Sequence, residues 1–253
     1  MPSTSQKILT STKKLVPVAA KRPLRKALPA RYLRYVDPDW HRRVIGNVPH
    51  WEYMGKLQLD YLVERGLKPE HNLLDVGCGP LRAGIHFIEY LDAGHYAGID
   101  QQADVLETAR QLELPKRGLV EKQPHLIANH LFEFGQFGMT FNYAIAQSVF
   151  THMPLNNIMR CLVQMSRVLK PGGRFYATIL ENTQGKLFID DIRQSDGPTG
   201  TTHYDSDIFH YGLDAMQFAC EGTGLTVEYE GDFGHPRNQK MLVFVRSDGA
   251  RPA

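Results

Sequence analysis

The chain has 253 residues, 42% of them hydrophobic and 22% charged, the make-up of a soluble globular protein long enough for one large domain or a domain with an arm. No apolar run approaches the roughly 20 residues that a membrane-spanning helix needs. The three cysteines, Cys78, Cys161 and Cys220, suggest neither a disulfide framework nor a zinc site, which points to a reducing, cytoplasmic setting.

The formal net charge of +2 conceals a division: residues 1–43 carry 11 Lys/Arg against two acids, +9, and the remainder carries −7. Residues 1–43 therefore form a basic N-terminal arm, and Pro17, Pro23 and Pro29 interrupt any long helix in it. Such an arm suits a solvated tail, partly helical or flexible. Docking on an anionic surface, including the periphery of a membrane, and an organellar presequence are the alternatives. A secretory signal is not expected, because no apolar core of about 7–15 residues follows the charges. Nucleic acid is a poor partner: the first 31 positions hold no aromatic residue, and the rest of the chain is net acidic.

Residues 44–253 are expected to form the folded domain. Tyr53, Met54, Leu57, Leu59, Tyr61 and Leu62 supply a helical apolar face through Arg65, and Gly66 is a stop signal. HNLLDVGCGPLRAGIHFIEYL, His71 to Leu91, then reads as a buried strand (Leu73–Val76), a glycine turn (Gly77, Cys78, Gly79) and a helix, with the carboxylate of Asp75 just before the turn. His95–Asp100 reads as a second strand, Ala103–Leu112 as a helix, Pro124–Asn129 as a third strand and Phe141–Phe150 as a fourth. Leu155–Leu169 is a helix with Ile158, Cys161, Leu162, Met165 and Val168 along one side; Pro171, Gly172 and Gly173 stop it and open a fifth strand. Leu225–Tyr229 and Met241–Val245 are two further strands. Strands alternating with helices predict a parallel sheet covered on both faces. The polar stretch 181–211 breaks this rhythm, and it follows the carboxyl end of a strand, where α/β folds place ligands.

A strand that empties into a glycine turn at a helix start holds nucleotide-like cofactors. A dinucleotide fingerprint would place a third glycine where this chain has Arg82, and Gly84 comes too late. That argues against a nicotinamide-dependent oxidoreductase, and an acid directly before the turn suits a ligand with an amino group.

Taken together, LLDVGCG, AGID, FNYAIAQSVFTHM and LKPGGRFYAT resemble, in order and spacing, the landmarks of the class I S-adenosylmethionine-dependent methyltransferases, over about Trp51 to Val245. HPRNQKMLVF resembles a subset of them. The resemblance implies an α/β, Rossmann-like seven-stranded sheet of order 3-2-1-4-5-7-6 with the last strand antiparallel, helices on both faces, and S-adenosyl-L-methionine as cofactor. It implies that Gly77, Cys78 and Gly79 let the backbone pass the methionine part, with Asp75 near its ammonium. Asp100, with Gln101 beside it, would accept from the ribose hydroxyls. Asn129 would face the adenine amino group, Gln147 would lie beside the methionine part, and Tyr53 could close over the cofactor through a cation–π contact. Leu81 stands where the family often has a further glycine, and Asn129 where it usually has an acid. Gln147 and Ile179-Leu180 replace the acids of metal-dependent members, so no metal is expected.

Transfer to a hydroxyl needs an aligned acceptor and a base, for which a histidine with a pKa near neutrality is suited. His210, His152 and His235 are the candidates, with His203 a further one. The expected reaction is O-methylation of a hydroxyl on a small molecule, sugar or glycolipid. N- or S-methylation of a small metabolite, or a non-catalytic cofactor-binding partner protein, are the alternatives.

Overall fold

The computed structural model describes residues 40–43, 50–182, 191–193, 201–202 and 206–249. The arm before Trp40, His203 and most of the stretch 183–205 thus lie outside the described residues. The chain divides into two units, 1–51 and 52–253. In the first, a 3-10 turn spans Trp40–Arg43 and the Arg42 guanidinium lies 4.8 Å from the Trp51 ring centre.

The second unit is built on an open sheet. Helix α1 (Trp51–Glu64) leads into β1 (Leu73–Val76), α2 (Gly84–Tyr90), β2 (Tyr96–Asp100) and α3 (Ala103–Thr108), which continues through a π-turn at Ala109–Glu113 into Leu114–Lys116. Then come β3 (His125–Ala128), β4 (Phe141–Ala146), α4 (Leu155–Val168) and β5 (Leu169–Glu181). The two-residue strands β6 (Ile192–Arg193) and β7 (Thr201–Thr202) pair with each other. They precede β8 (His210–Tyr211), α5 (Leu213–Cys220), β9 (Leu225–Asp232) and β10 (Lys240–Arg246).

The strand order is β3-β2-β1-β4-β5-β10-β9, with β10 antiparallel to both neighbours and β8 added to the end of β5. Counting β9 and β10 as sixth and seventh, this is the expected order with its antiparallel last strand. The additional strand β8 comes from within the stretch expected to be loop.

Both faces of the sheet are buried, which explains the continuous apolar runs of its central strands. Alternate residues divide cleanly between two cores. Leu74, Val76, Ala144, Phe175, Ala177, Leu242 and Phe244 point to one side with α4; Leu73, Ile145, Tyr176, Met241 and Val243 point to the other with Leu62, Phe87 and Tyr96. The first core centres on Phe150, Phe175 and Phe244, whose ring centres are 5.7 to 6.0 Å apart. Each is fully buried, worth about 1.5–3 kcal/mol of removed apolar surface.

Several boundaries differ from expectation. The apolar run FNYAIAQSVF stops being a strand at Ala146, because Ser148 takes φ +58° and its N–H donates to Thr178 Oγ1 at 2.7 Å instead of continuing the ladder. Phe150–His152 is then a 3-10 turn. The fifth strand starts directly at Leu169, and Pro171-Gly172 form an irregularity inside it, seen as a register shift against β4. Helix α5 is absent from the expected elements. The helix after the glycine turn begins only at Gly84, which makes the close helix–strand approach assigned to the missing third glycine: a Cβ there would lie 2.5 Å from the Tyr96 hydroxyl.

Gly77 sits at φ +70°, and a Cβ on it would lie 2.5 Å from Val149 Cγ2. Gly77→Ala is expected to cost about 1–3 kcal/mol in urea unfolding from overpacking and left-handed strain. In a double-mutant cycle Val149→Ala should restore the steric part and leave about 1–2 kcal/mol of strain. A cycle with no coupling would rule out this contact as the cause.

Candidate functional site

The carboxyl ends of β1, β2 and β4 meet at the glycine turn. The N–H groups of Gly77 and Cys78 both donate to Ile99 O, at 2.8 and 3.1 Å, so the turn is pinned against β2. Gly79 N–H donates to Asp100 Oδ2 at 2.9 Å and Gln102 N–H to Asp100 Oδ1 at 2.9 Å. The Asp100 carboxylate thus fixes the turn and opens α3, and each oxygen keeps acceptor capacity for a hydroxyl. Gln101 is exposed beside it.

Asn129 is brought to this edge by its N–H bond to Asp100 O at 2.9 Å. Its side chain is engaged locally: Oδ1 accepts from Leu131 N–H at 2.7 Å, and Nδ2 donates to Glu133 Oε2 at 2.7 Å. Oδ1 also accepts from Glu133 N–H at 3.3 Å, so it can take an adenine amino group only by giving up or sharing one of two loop bonds.

Asp75 is buried under the turn and accepts from the Tyr96 hydroxyl at 2.8 Å. Burial raises its carboxyl to about 7, with the Asp100 charge adding to the rise and Tyr96 and Arg82 opposing it. Burial, then Asp75 and Asp100, push the Cys78 thiol well up, so it is a protonated filler over Gly98 and no nucleophile. Gln147, at the outlet of β4, is 8% exposed, and both its amide atoms are buried without a hydrogen-bond partner. Leaving such groups unmade costs about 1–3 kcal/mol each, so the outlet favours a polar ligand.

Tyr53 faces the β9–β10 loop. It is exposed on α1, and its hydroxyl donates to Gly234 O at 3.4 Å, in the loop between β9 and β10. That loop carries His235, which is buried, tilted on Phe233, and accepts from Arg237 N–H at Nδ1 over 3.1 Å. Burial, with Arg82 and Arg237 beside it, lowers its pKa to about 4. His210 is buried in β8 with Nδ1 unpaired, and burial lowers its pKa. His152 is half-exposed and its Nδ1 lies 2.6 Å from Asp207 Oδ1.

Three features were not expected from the sequence. Asp207 meets His152 across 55 positions of chain, a pairing that no spacing announces. Gln239 is buried and accepts from Thr178 Oγ1 at 2.7 Å and from Ser148 Oγ at 3.0 Å, locking the β4 outlet to β5 and β10. Arg82, which stands where a dinucleotide fingerprint would have its third glycine, is close in charge not only to Asp75 but to Arg237 and His235. Among the described residues no cluster of three or more His, Cys, Asp or Glu could hold a metal ion, and no helix is long and apolar enough to cross a membrane.

A family model described as a methyltransferase domain matches residues 74–175, from the middle of β1 into β5. "Probable methyltransferase ltbC" of Aspergillus luteorubrus is 30% identical over 114 residues, 42% of this chain and 39% of its own length. An uncharacterized methyltransferase of Schizosaccharomyces pombe is 30% identical over 113 residues, with the same 42% and 39% coverage. The chain thus spans 39% of the length of these curated relatives.

Among solved structures, magnesium protoporphyrin IX methyltransferase of Synechocystis PCC 6803 with bound S-adenosylmethionine superposes with a TM-score of 0.56 at 16% identity, over 90% of this chain and 97% of its own. The S-adenosylmethionine-bound amino pentose methyltransferase of Micromonospora echinaspora gives 0.57 at 17% identity, over 81% and 94%. Residues 74–175 thus match a methyltransferase domain, and the fold is shared with methyltransferases solved with S-adenosylmethionine bound.

The groups present suit S-adenosylmethionine: Asp100 with spare acceptor capacity, an unpaired buried amide at Gln147, and a buried carboxylate at Asp75 whose raised pKa a further cation would relieve. A bound ammonium favours ionised Asp75. The affinity for S-adenosylhomocysteine, measured by calorimetry, is therefore expected to rise about tenfold between pH 6 and pH 8, as Asp75 loses its proton through about 7. Asp75→Asn should flatten the profile. A wild-type profile that is already flat would remove Asp75 from the ammonium's surroundings.

Proposed function

We propose that this protein transfers a methyl group from S-adenosylmethionine to a hydroxyl of a small molecule, sugar or glycolipid, with His152 as the general base and Asp207 as its orienting partner. The observation that carries the reading is the 2.6 Å contact of His152 Nδ1 with Asp207 Oδ1. A carboxylate at Nδ1 keeps the proton there and leaves Nε2 as the accepting nitrogen. His152 is 48% exposed, so an acceptor can reach it.

The other two candidates are less suited. A base works best with a pKa near the working pH. His235, at about 4, is too weakly basic, and its Nδ1 already accepts a hydrogen bond. His210 is buried and shifted in the same direction.

When bound, S-adenosylmethionine supplies an electrophilic methyl carbon on a sulfonium. Asp100 would hold the ribose hydroxyls, Gln147 and the backbone around Gly77 and Gly79 the methionine part, and Asp75 its ammonium. His152 would take the acceptor's proton at Nε2 and pass it to solvent, with Asp207 fixing the ring's angle. In this reading the glycine turn and the oriented imidazole would hold the reacting groups in line, from which much of the rate would derive.

A screen of labelled methyl transfer into metabolite, glycan and lipid extracts would identify the acceptor. With that acceptor saturating, His152→Ala is expected to lower kcat by about 10²–10⁴-fold. Asp207→Asn should lower kcat by less, with the affinity for S-adenosylhomocysteine unchanged in both. His210→Ala should keep most turnover. Full turnover in His152→Ala would overturn the base assignment and favour an amine or thiol acceptor, which needs no such base.

A further inference from the structure

Three segments far apart in the chain meet on the outer side of the glycine turn. Gly55 of α1 packs so closely on the Arg82 carbonyl that a Cβ there has no room. Tyr53, two residues earlier, bonds Gly234 O in the β9–β10 loop at 3.4 Å. That loop brings His235 and Arg237 up beside Arg82. Neither guanidinium has a hydrogen-bond or ion-pair partner among the described residues, and Arg82 Nε is buried without one.

The carboxylate next to Arg82 is Asp75, which already accepts from Tyr96 and is buried with its pKa raised to about 7, so a single, partly protonated acid stands against two guanidinium charges. Two cations held beside each other, one of them half-buried, is an expensive arrangement without a counter-charge. A forked guanidinium matches the two oxygens of a carboxylate or phosphate. His235 adds to the same chemistry. Its Nδ1 accepts from the Arg237 N–H, so the neutral ring keeps its proton on Nε2 and is a donor.

We propose that Arg82, Arg237 and His235 form an oxyanion subsite that selects an acceptor carrying a carboxylate or phosphate group. The inference rests on the cofactor-site reading above and names the class of acceptor that site would take. Arg237 is exposed on the β9–β10 loop, on the open side of the cluster, where an incoming acceptor meets it first. Arg82 lies deeper, next to the turn, so an anion gripped by both has one end anchored beside the methyl donor's cradle.

The test uses inorganic phosphate on the full chain at constant ionic strength. Binding of S-adenosylhomocysteine to the wild type is first measured by calorimetry, which reports on the cofactor reading alone. Phosphate is then titrated into protein saturated with S-adenosylhomocysteine and followed by phosphorus NMR line width. Saturable binding to the loaded protein is expected, weakened about tenfold or more in Arg237→Gln, retained in part in Arg82→Lys, and unchanged in the surface control Lys56→Gln.

Phosphate that instead competes with S-adenosylhomocysteine, with Arg237→Gln weakening the cofactor itself, would place the cofactor's own carboxylate between the arginines and overturn the acceptor proposal. No saturable binding to either form would overturn it as well. Arg82→Lys keeps the charge near Asp75, so it separates loss of the fork from loss of folding.

Discussion

The 2.9 Å hydrogen bond from Gly79 N–H to the Asp100 carboxylate is the joint on which the cofactor edge depends. Glycine angles alone leave a turn free to take several paths, and this bond selects one. It ties the exit of β1 to the exit of β2, while the other oxygen of the same carboxylate opens α3 through Gln102. Asp100 then passes the constraint on through its carbonyl, which accepts from Asn129 at the end of β3. Three parallel strands therefore end in register, with their exits bonded to one another before any ligand arrives. Such preorganisation lets binding energy go into alignment instead of into ordering the loops.

The sheet was legible in the sequence because its apolar runs are long and its order follows the resemblance. LLDV, HYAGID and KMLVF each sit within a residue or two of the observed strands. Polar and strained positions were less legible. FNYAIAQSVF reads as one strand, yet Ser148 turns left-handed because its N–H finds Thr178 and its hydroxyl finds Gln239, partners 30 and 91 positions away. Leu81 likewise takes φ +64°, the angle the family often gives to glycine, because its side chain is wholly buried in the core with Leu73, Ile85 and Phe87. Burial of about 1.5–3 kcal/mol offsets the strain of a left-handed leucine, so the turn keeps its path without the third glycine.

The candidate site was legible in the same uneven way. Asp100, Gln147 and the glycine turn are marked by their position at strand ends, and the structure gathers them. Tyr53 is marked only by an aromatic side chain on a helix, and its hydroxyl goes to the β9–β10 loop. Asp207 has no local signature at all, since its significance is a contact with His152 made by chain folding. Arg82 was weighed as an absent glycine, when its charge beside Arg237 is the informative property. Motif spacing reports what the backbone must do; it is silent on which side chains from distant segments complete the chemistry.

The acceptor side is governed by a different constraint. After leaving β5, the chain returns as β8 and is stitched to the β4 outlet: Phe209 N–H donates to Thr151 O at 2.8 Å, Tyr211 Oη donates to Met153 O at 2.5 Å, and Asp207 meets His152. These bonds place His152, the half-exposed one of the three candidate histidines, beside a segment that shares no residue with the glycine turn. The β9–β10 loop, which meets α1 through Tyr53, carries charge, with His235 held neutral and two arginines beside it. A methyl donor common to a whole class can thus be combined with a private acceptor. The glycine turn is fixed by backbone and by Asp100, while the two segments proposed to meet an acceptor come from parts of the chain that these bonds do not constrain.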